Sequence, residues 1–191
     1  MATRPAAGIG RLPSPLAVGV VVWLASELMF FAGLFAAYFT LRAGTDGPWP
    51  PEGVELETGR TALATVLLVA SSVTFHYAVG GIARGDRRLG GRWLALTVFL
   101  GAAFLTNQAV EYGEATFSLG SHAYGSIFYL MTGFHGLHVL GGLAFMGFAL
   151  AMVSGPAAKA PPGQTMEVCA YYWHFVDAVW VAMFTVIYVL R

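Results

Sequence analysis

Charge is what this chain has least of. Asp, Glu, Lys and Arg make up only 10% of its 191 residues, well under the roughly 25% usual in soluble domains. Ten basic residues balance ten acidic ones, which leaves nothing to attract a nucleic acid or a highly charged substrate. Cysteine is nearly missing as well. The single Cys169 excludes an internal disulfide and any CxxC metal or redox motif, and suits a small apolar packing role. Internal repeats, a phosphate loop, a dinucleotide fingerprint and a nucleophile triad are all absent. Glycine pairs such as Gly8-Ile-Gly10 lack the strand-turn-helix setting such motifs need.

What is present is apolar sequence, 57% of the chain. It falls into five segments, about 16–41, 59–82, 91–112, 124–153 and 167–190, each longer than the roughly 20 residues that cross about 30 Å of hydrocarbon. The fold class expected is therefore all-α, an integral membrane bundle of five transmembrane helices. Residues 1–15 read as a short N-terminal segment and 16–191 as a single membrane domain. The first apolar run is too long for a secretory signal and leads straight into a second, so it reads as an uncleaved anchor. Loops 44–51 and 155–163 are rich in Pro and Gly, as connectors are.

Arginine placement gives the orientation. Arg4, Arg11, Arg84, Arg87, Arg88, Arg92 and Lys159 fall on one side, and Arg42, Arg60 and Arg191 on the other, seven against three. Under the positive-inside rule the N-terminus is cytoplasmic and the C-terminus outside. The arginine-rich second loop could also attract anionic headgroups, although topology alone accounts for it.

A few polar residues interrupt the apolar segments. Glu27 lies roughly 16 Å into the first helix, with Trp23, Leu24, Phe30 and Phe31 at helical spacing around it. A carboxyl there is costly to ionise without a partner. It is either a proton-exchanging group or a protonated acid hydrogen-bonded across a helix interface. His135 and His138 stand three apart on the fourth helix, followed by Gly141 and Gly142, which let another helix approach closely. Histidines on membrane helices can ligate haem or copper, but a site needs further ligands and an orienting shell. Interhelical hydrogen bonds are the alternative use. His174 and Asp177 lie one turn apart on the last helix, where an Asp costs about 2.5–3.5 kcal/mol to insert. Depth arithmetic brings His76, His138, His174 and Asp177 within about a helical turn of the same level. An interhelical polar cluster of His76, His135, His138, His174 and Asp177 is expected, with Asp177 bonded to His138 or His174. The third helix ends in Asn107, Gln108, Glu111 and Glu114, a polar helix end at the outer surface or a route for protons or a partner.

Several of these stretches, taken in order, resemble subunit III of the haem-copper cytochrome c oxidases. They are Trp23-Leu-Ala-Ser-Glu-Leu-Met-Phe-Phe31, Gln108-Ala-Val-Glu-Tyr112 with Glu114, Tyr124-Gly-Ser-Ile-Phe128, Thr132-Gly-Phe-His-Gly-Leu-His138 and Tyr172-Trp-His-Phe-Val-Asp-Ala-Val-Trp180. The resemblance implies an accessory subunit with no catalytic residue, haem or copper of its own, since those metals belong to partner subunits I and II. It implies bound phospholipid, support of proton uptake and protection of the oxygen site, with Glu27 on the family's buried glutamate. Cytochrome c or a cytochrome bc complex would be an indirect partner, and a bacterial plasma membrane the location. Many members carry two further helices that form a V-shaped, lipid-holding cleft. The five segments here resemble five-helix bacterial versions, and an actinobacterial-type oxidase would suit them. The corresponding subunit of a quinol oxidase or nitric oxide reductase is the nearest alternative reading. An independent transporter or a haem-carrying membrane protein is a more distant one.

Overall fold

A computed structural model of the chain describes residues 15–155 and 163–190. The chain runs through α1 (Pro15–Ala43), α2 (Thr58–Ala83), α3 (Arg87–Glu114), α4 (Ala123–Ser154) and α5 (Gly163–Phe184), and ends in a widened π turn at Thr185–Val189. No strand occurs among the described residues. All five helices are long and apolar enough to cross a membrane, with spans of 29, 26, 28, 32 and 25 residues. Residues 1–14 of the expected N-terminal segment lie outside the described residues, as do Arg4, Arg11, Lys159 and Arg191.

The helices begin where capping groups allow rather than where apolarity starts. α3 opens at Arg87, four residues ahead of the apolar segment, because the Asp86 carboxylate accepts the backbone N–H of Leu89 at 3.0 Å. At α4, the Nδ1 of His122 accepts from the N–H of Gly125 at 2.8 Å.

The last helix is the centre of the bundle. It packs on α1, α2 and α4, while α2 lies along α3 and α3 along α4. Trp173 and Trp180 are wholly buried on it. Trp173 fits a socket between Gly142 of α4 and Gly101 of α3, where an added Cβ would lie 2.7 Å and 2.8 Å from its ring. Gly81 and Gly90 form the crossing of α2 and α3, where a Cβ on Gly81 would lie 2.9 Å from the Gly90 backbone. Between lipid-embedded helices, such close approach is a main source of attraction.

Hydroxyls on α2 satisfy the indole donors that this packing buries. Trp173 Nε1 donates to Ser71 Oγ and Trp180 Nε1 to Thr65 Oγ1, both at 2.9 Å. Thr74 and Thr97 join α2 to α3 at 2.8 Å, and Tyr112 and Thr132 join α3 to α4 at 2.7 Å. At the π turn, Leu190 N donates to Thr185 O at 2.9 Å, five residues back. The carbonyls this leaves are met from α1. Tyr38 donates to Val186 O at 3.3 Å, and Arg42 Nη1 to Leu190 O at 2.7 Å.

Candidate functional site

The carboxyl and histidine groups read from the sequence occupy four places rather than one cluster. The first lies between α1 and α4, where Glu27 Oε2 is 3.1 Å from His138 Nε2. The other ring nitrogen, Nδ1, is 2.7 Å from the carbonyl of Phe134. A carbonyl only accepts, so Nδ1 carries a hydrogen. The Glu27 contact then needs a proton of its own, supplied by a neutral carboxyl or by an imidazolium facing a carboxylate. In both cases one proton is held between the two groups and the pair has no net charge. Phe31 covers the imidazole at 5.1 Å, and Tyr172 donates to His138 O at 2.8 Å. The glutamate and histidine side chains keep 23% and 16% exposure, so the pair sits at the edge of the bundle.

His135 goes elsewhere. Three residues along an α-helix turn about 60° short of a full circle, enough on α4 to send His138 to α1 and His135 to the interior. There it stacks on Trp180 at 5.0 Å and meets the edges of Phe104 and Phe31. Neither ring nitrogen has a hydrogen-bond partner among the described residues. In place of the interhelical hydrogen bond expected of this histidine, the ring packs among aromatic side chains.

The third place joins α2 to α5. Ser72 Oγ donates to Asp177 Oδ2 and lies 2.8 Å from His174 Nδ1. A hydroxyl has one hydrogen, so with Asp177 taking it, His174 Nδ1 donates to the serine oxygen. Asp177 is thus linked to His174 through Ser72, and His138 belongs to Glu27 instead. The chain of bonds differs from a hydrolytic triad, in which histidine sits in the middle and takes the serine proton. Here serine is in the middle and directs its proton to the carboxylate, not to the imidazole. Asp177 is 6% exposed, yet its Oδ1 has no partner among the described residues. His174 is exposed, and so is His76, one turn along α2 from Ser72.

The fourth place is the far end of α3. Glu111 is buried, and both its oxygens lie 2.9 Å from the hydroxyl of Tyr188, which donates to them. Gln108 Nε2 adds a longer contact at 3.4 Å. Glu114, one turn on, points outward to Arg60 at 2.5 Å. The two acids flank a hollow of about 520 Å³ with Glu55, Glu57 and Arg60 on its rim. Asn107 is half-buried on another flank of the helix. Among the described residues no three His, Cys, Asp or Glu side chains gather as a metal ion would require.

Sequence reasoning missed Ser72, Ser71 and Thr65, the hydroxyls on which the α2–α5 contact depends. Their signal was present. Thr61, Thr65, Ser72 and His76 recur at helical spacing along an otherwise apolar segment.

Comparison with known proteins gives the family. The family profile described as cytochrome c oxidase subunit III matches residues 11–191. The chain is 48% identical to a probable cytochrome c oxidase subunit 3 of Mycobacterium tuberculosis over 184 residues, 94% of this chain and 90% of the relative. It is 46% identical to the corresponding probable subunit of Nocardia farcinica over 185 residues, with the same coverage. A cytochrome c oxidase subunit 3 of Thermostichus vulcanus is 38% identical over 174 residues, 91% of this chain and 86% of the relative. Matched along nearly all of its length, the chain belongs to the cytochrome c oxidase subunit III family, the accessory subunits of haem-copper oxidases.

Proposed function

We propose that this chain is a non-catalytic subunit, without a redox centre, that docks on oxidase subunits I and II through its α2–α5 face. It lies in a bacterial plasma membrane with its N-terminus cytoplasmic and its C-terminus outside. The complex takes electrons from cytochrome c, directly or through a cytochrome bc complex. The Glu27–His138 pair holds a proton at the edge of the bundle, where it supports proton uptake by the core. Phospholipid fills the apolar surface that the core leaves uncovered.

One observation carries the docking reading. His174 and His76 are exposed at one helix seam in apolar surroundings, with the half-buried Ser72 and the buried Asp177 behind them. Hydrocarbon supplies no hydrogen bonds, and each unsatisfied polar group in it costs several kcal/mol. A facing protein helix with a hydrogen-bond donor meets that need, and a lipid tail does not. The membership of this family in multisubunit oxidases supports the same reading.

The test is co-purification of the chain with the haem-copper core from membranes of a strain carrying His174→Leu. The wild-type chain is expected to remain with the core through detergent exchange, and the variant to separate from it. A variant held as firmly as wild type would contradict the docking face. A monodisperse isolated chain that reduces oxygen would contradict the non-catalytic role.

A further inference from the structure

We infer that the seam between α3 and α4 is a binding site for one anionic glycerophospholipid, held by arginines at its head and by glycine-lined hollows along its tail. The two hollows lie on the same flank of both helices. At the arginine-rich end, Arg87, Arg88 and Arg92 surround a hollow of about 540 Å³ whose floor is Ala95, Leu150 and Val153. Farther along, a second hollow of about 230 Å³ lies between Leu105 and Tyr112 on one side and Gly133, Gly136 and Leu140 on the other. The α3 positions Gly91, Ala95, Leu105, Ala109 and Tyr112 fall on one stripe at helical spacing.

Glycine keeps the seam open on the α4 side. A Cβ on Gly133 or Gly136, which line the second hollow, would meet its nearest atom only at 3.7 Å. These positions differ from Gly101 and Gly142, which the Trp173 ring fills. The lengths also agree. From Arg92 to Leu105 is roughly 20 Å at 1.5 Å per residue. Half the thickness of a bilayer, headgroups included, is about 20–22 Å. A phosphate at the arginines therefore places a chain end at the second hollow. Topology requires positive charge somewhere in this loop, but not three arginines on the rim of a hollow with an apolar floor. The chemistry that fits is a phosphodiester without a compensating amine, attached to an acyl chain.

The test uses the purified oxidase complex and phosphatidylglycerol carrying a photoactivatable group in its acyl chain, with labelled peptides mapped by mass spectrometry. Labelling is expected on α4 between residues 133 and 150, stronger than with the matching phosphatidylcholine, and not displaced by inorganic phosphate. Arg88→Gln with Arg92→Gln should weaken it roughly twenty-fivefold, about fivefold for each arginine near an anionic headgroup. Gly136→Leu fills the second hollow and should abolish labelling there while leaving the arginines in place. Equal labelling by the two lipids, displacement by inorganic phosphate, or labelling unchanged in both variants would each overturn the site.

Discussion

Asp177 and Glu111 are two carboxyl groups in almost equal burial, 6% and 4% exposed, yet their surroundings differ in one respect. Both oxygens of Glu111 are taken up inside the subunit by Tyr188, with Gln108 beside them. Asp177 has Ser72 on one oxygen and no partner among the described residues on the other. The first is a finished staple between α3 and the end of the chain. The second lies buried behind a seam that exposes His174 and His76. A buried polar group left unpaired costs more than a paired one returns. The Glu111 carboxyl is therefore satisfied within the single chain, and the α2–α5 seam, with two exposed histidines, is not.

The largest effect that bears on this contrast removes the shared foundation. Trp173→Ala empties the socket between Gly101 and Gly142 and deletes the bond to Ser71. It should lower bundle stability by about 3–5 kcal/mol and weaken both regions together, read as loss of the subunit from membranes and a lower unfolding midpoint in detergent.

Next comes His174→Leu, which should separate the two regions. It is expected to weaken docking to the core by about 1–3 kcal/mol, the usual result of leaving a buried polar partner unpaired. The isolated subunit's midpoint should fall by much less. A fall in midpoint as large as the docking loss would make His174 an internal group of the subunit, as Glu111 is. Tyr188→Phe is the mirror experiment. It leaves Glu111 without its main donor and should destabilise the chain by about 1–3 kcal/mol, with co-purification unchanged.

Glu27→Gln should have a smaller effect than either. The amide can still donate to His138 but carries no exchangeable proton, so assembly and oxygen reduction should persist while the proton-to-electron ratio in proteoliposomes falls modestly. A hydrophobic carbodiimide should label Glu27 ahead of Glu52, Glu55 and Glu57, and label the variant at that position not at all. Smallest of all is Arg60→Gln. Its partner Glu114 is exposed, solvent and salt screen the pair, and neither midpoint nor docking should change measurably.

The five helices were legible because length and apolarity alone specify a membrane span, whichever neighbours the span acquires. Their starts were less so, since Asp86 and His122 cap helices ahead of the apolar residues. For the candidate site, sequence gives depth but not direction. Counting residues placed His138 and Asp177 at similar levels, but which helix each one faces depends on packing that periodicity does not contain. α4 packs on α1 as well as on α3 and α5, so His138 met Glu27 and His135 met Trp180. Ser72 escaped notice because a serine within a membrane helix usually bonds its own backbone. Its role emerges only when α5 brings His174 and Asp177 against it.

The central claim is that the α2–α5 seam is completed by another subunit. The most direct measurement is a structure of the assembled oxidase at a resolution that resolves side chains, read at His174 and His76. A polar atom of a core subunit is expected about 2.7–3.2 Å from a ring nitrogen of one of them, with the other covered by the same partner. Lipid tails against both, with no polar atom of another chain within hydrogen-bonding distance, would contradict it.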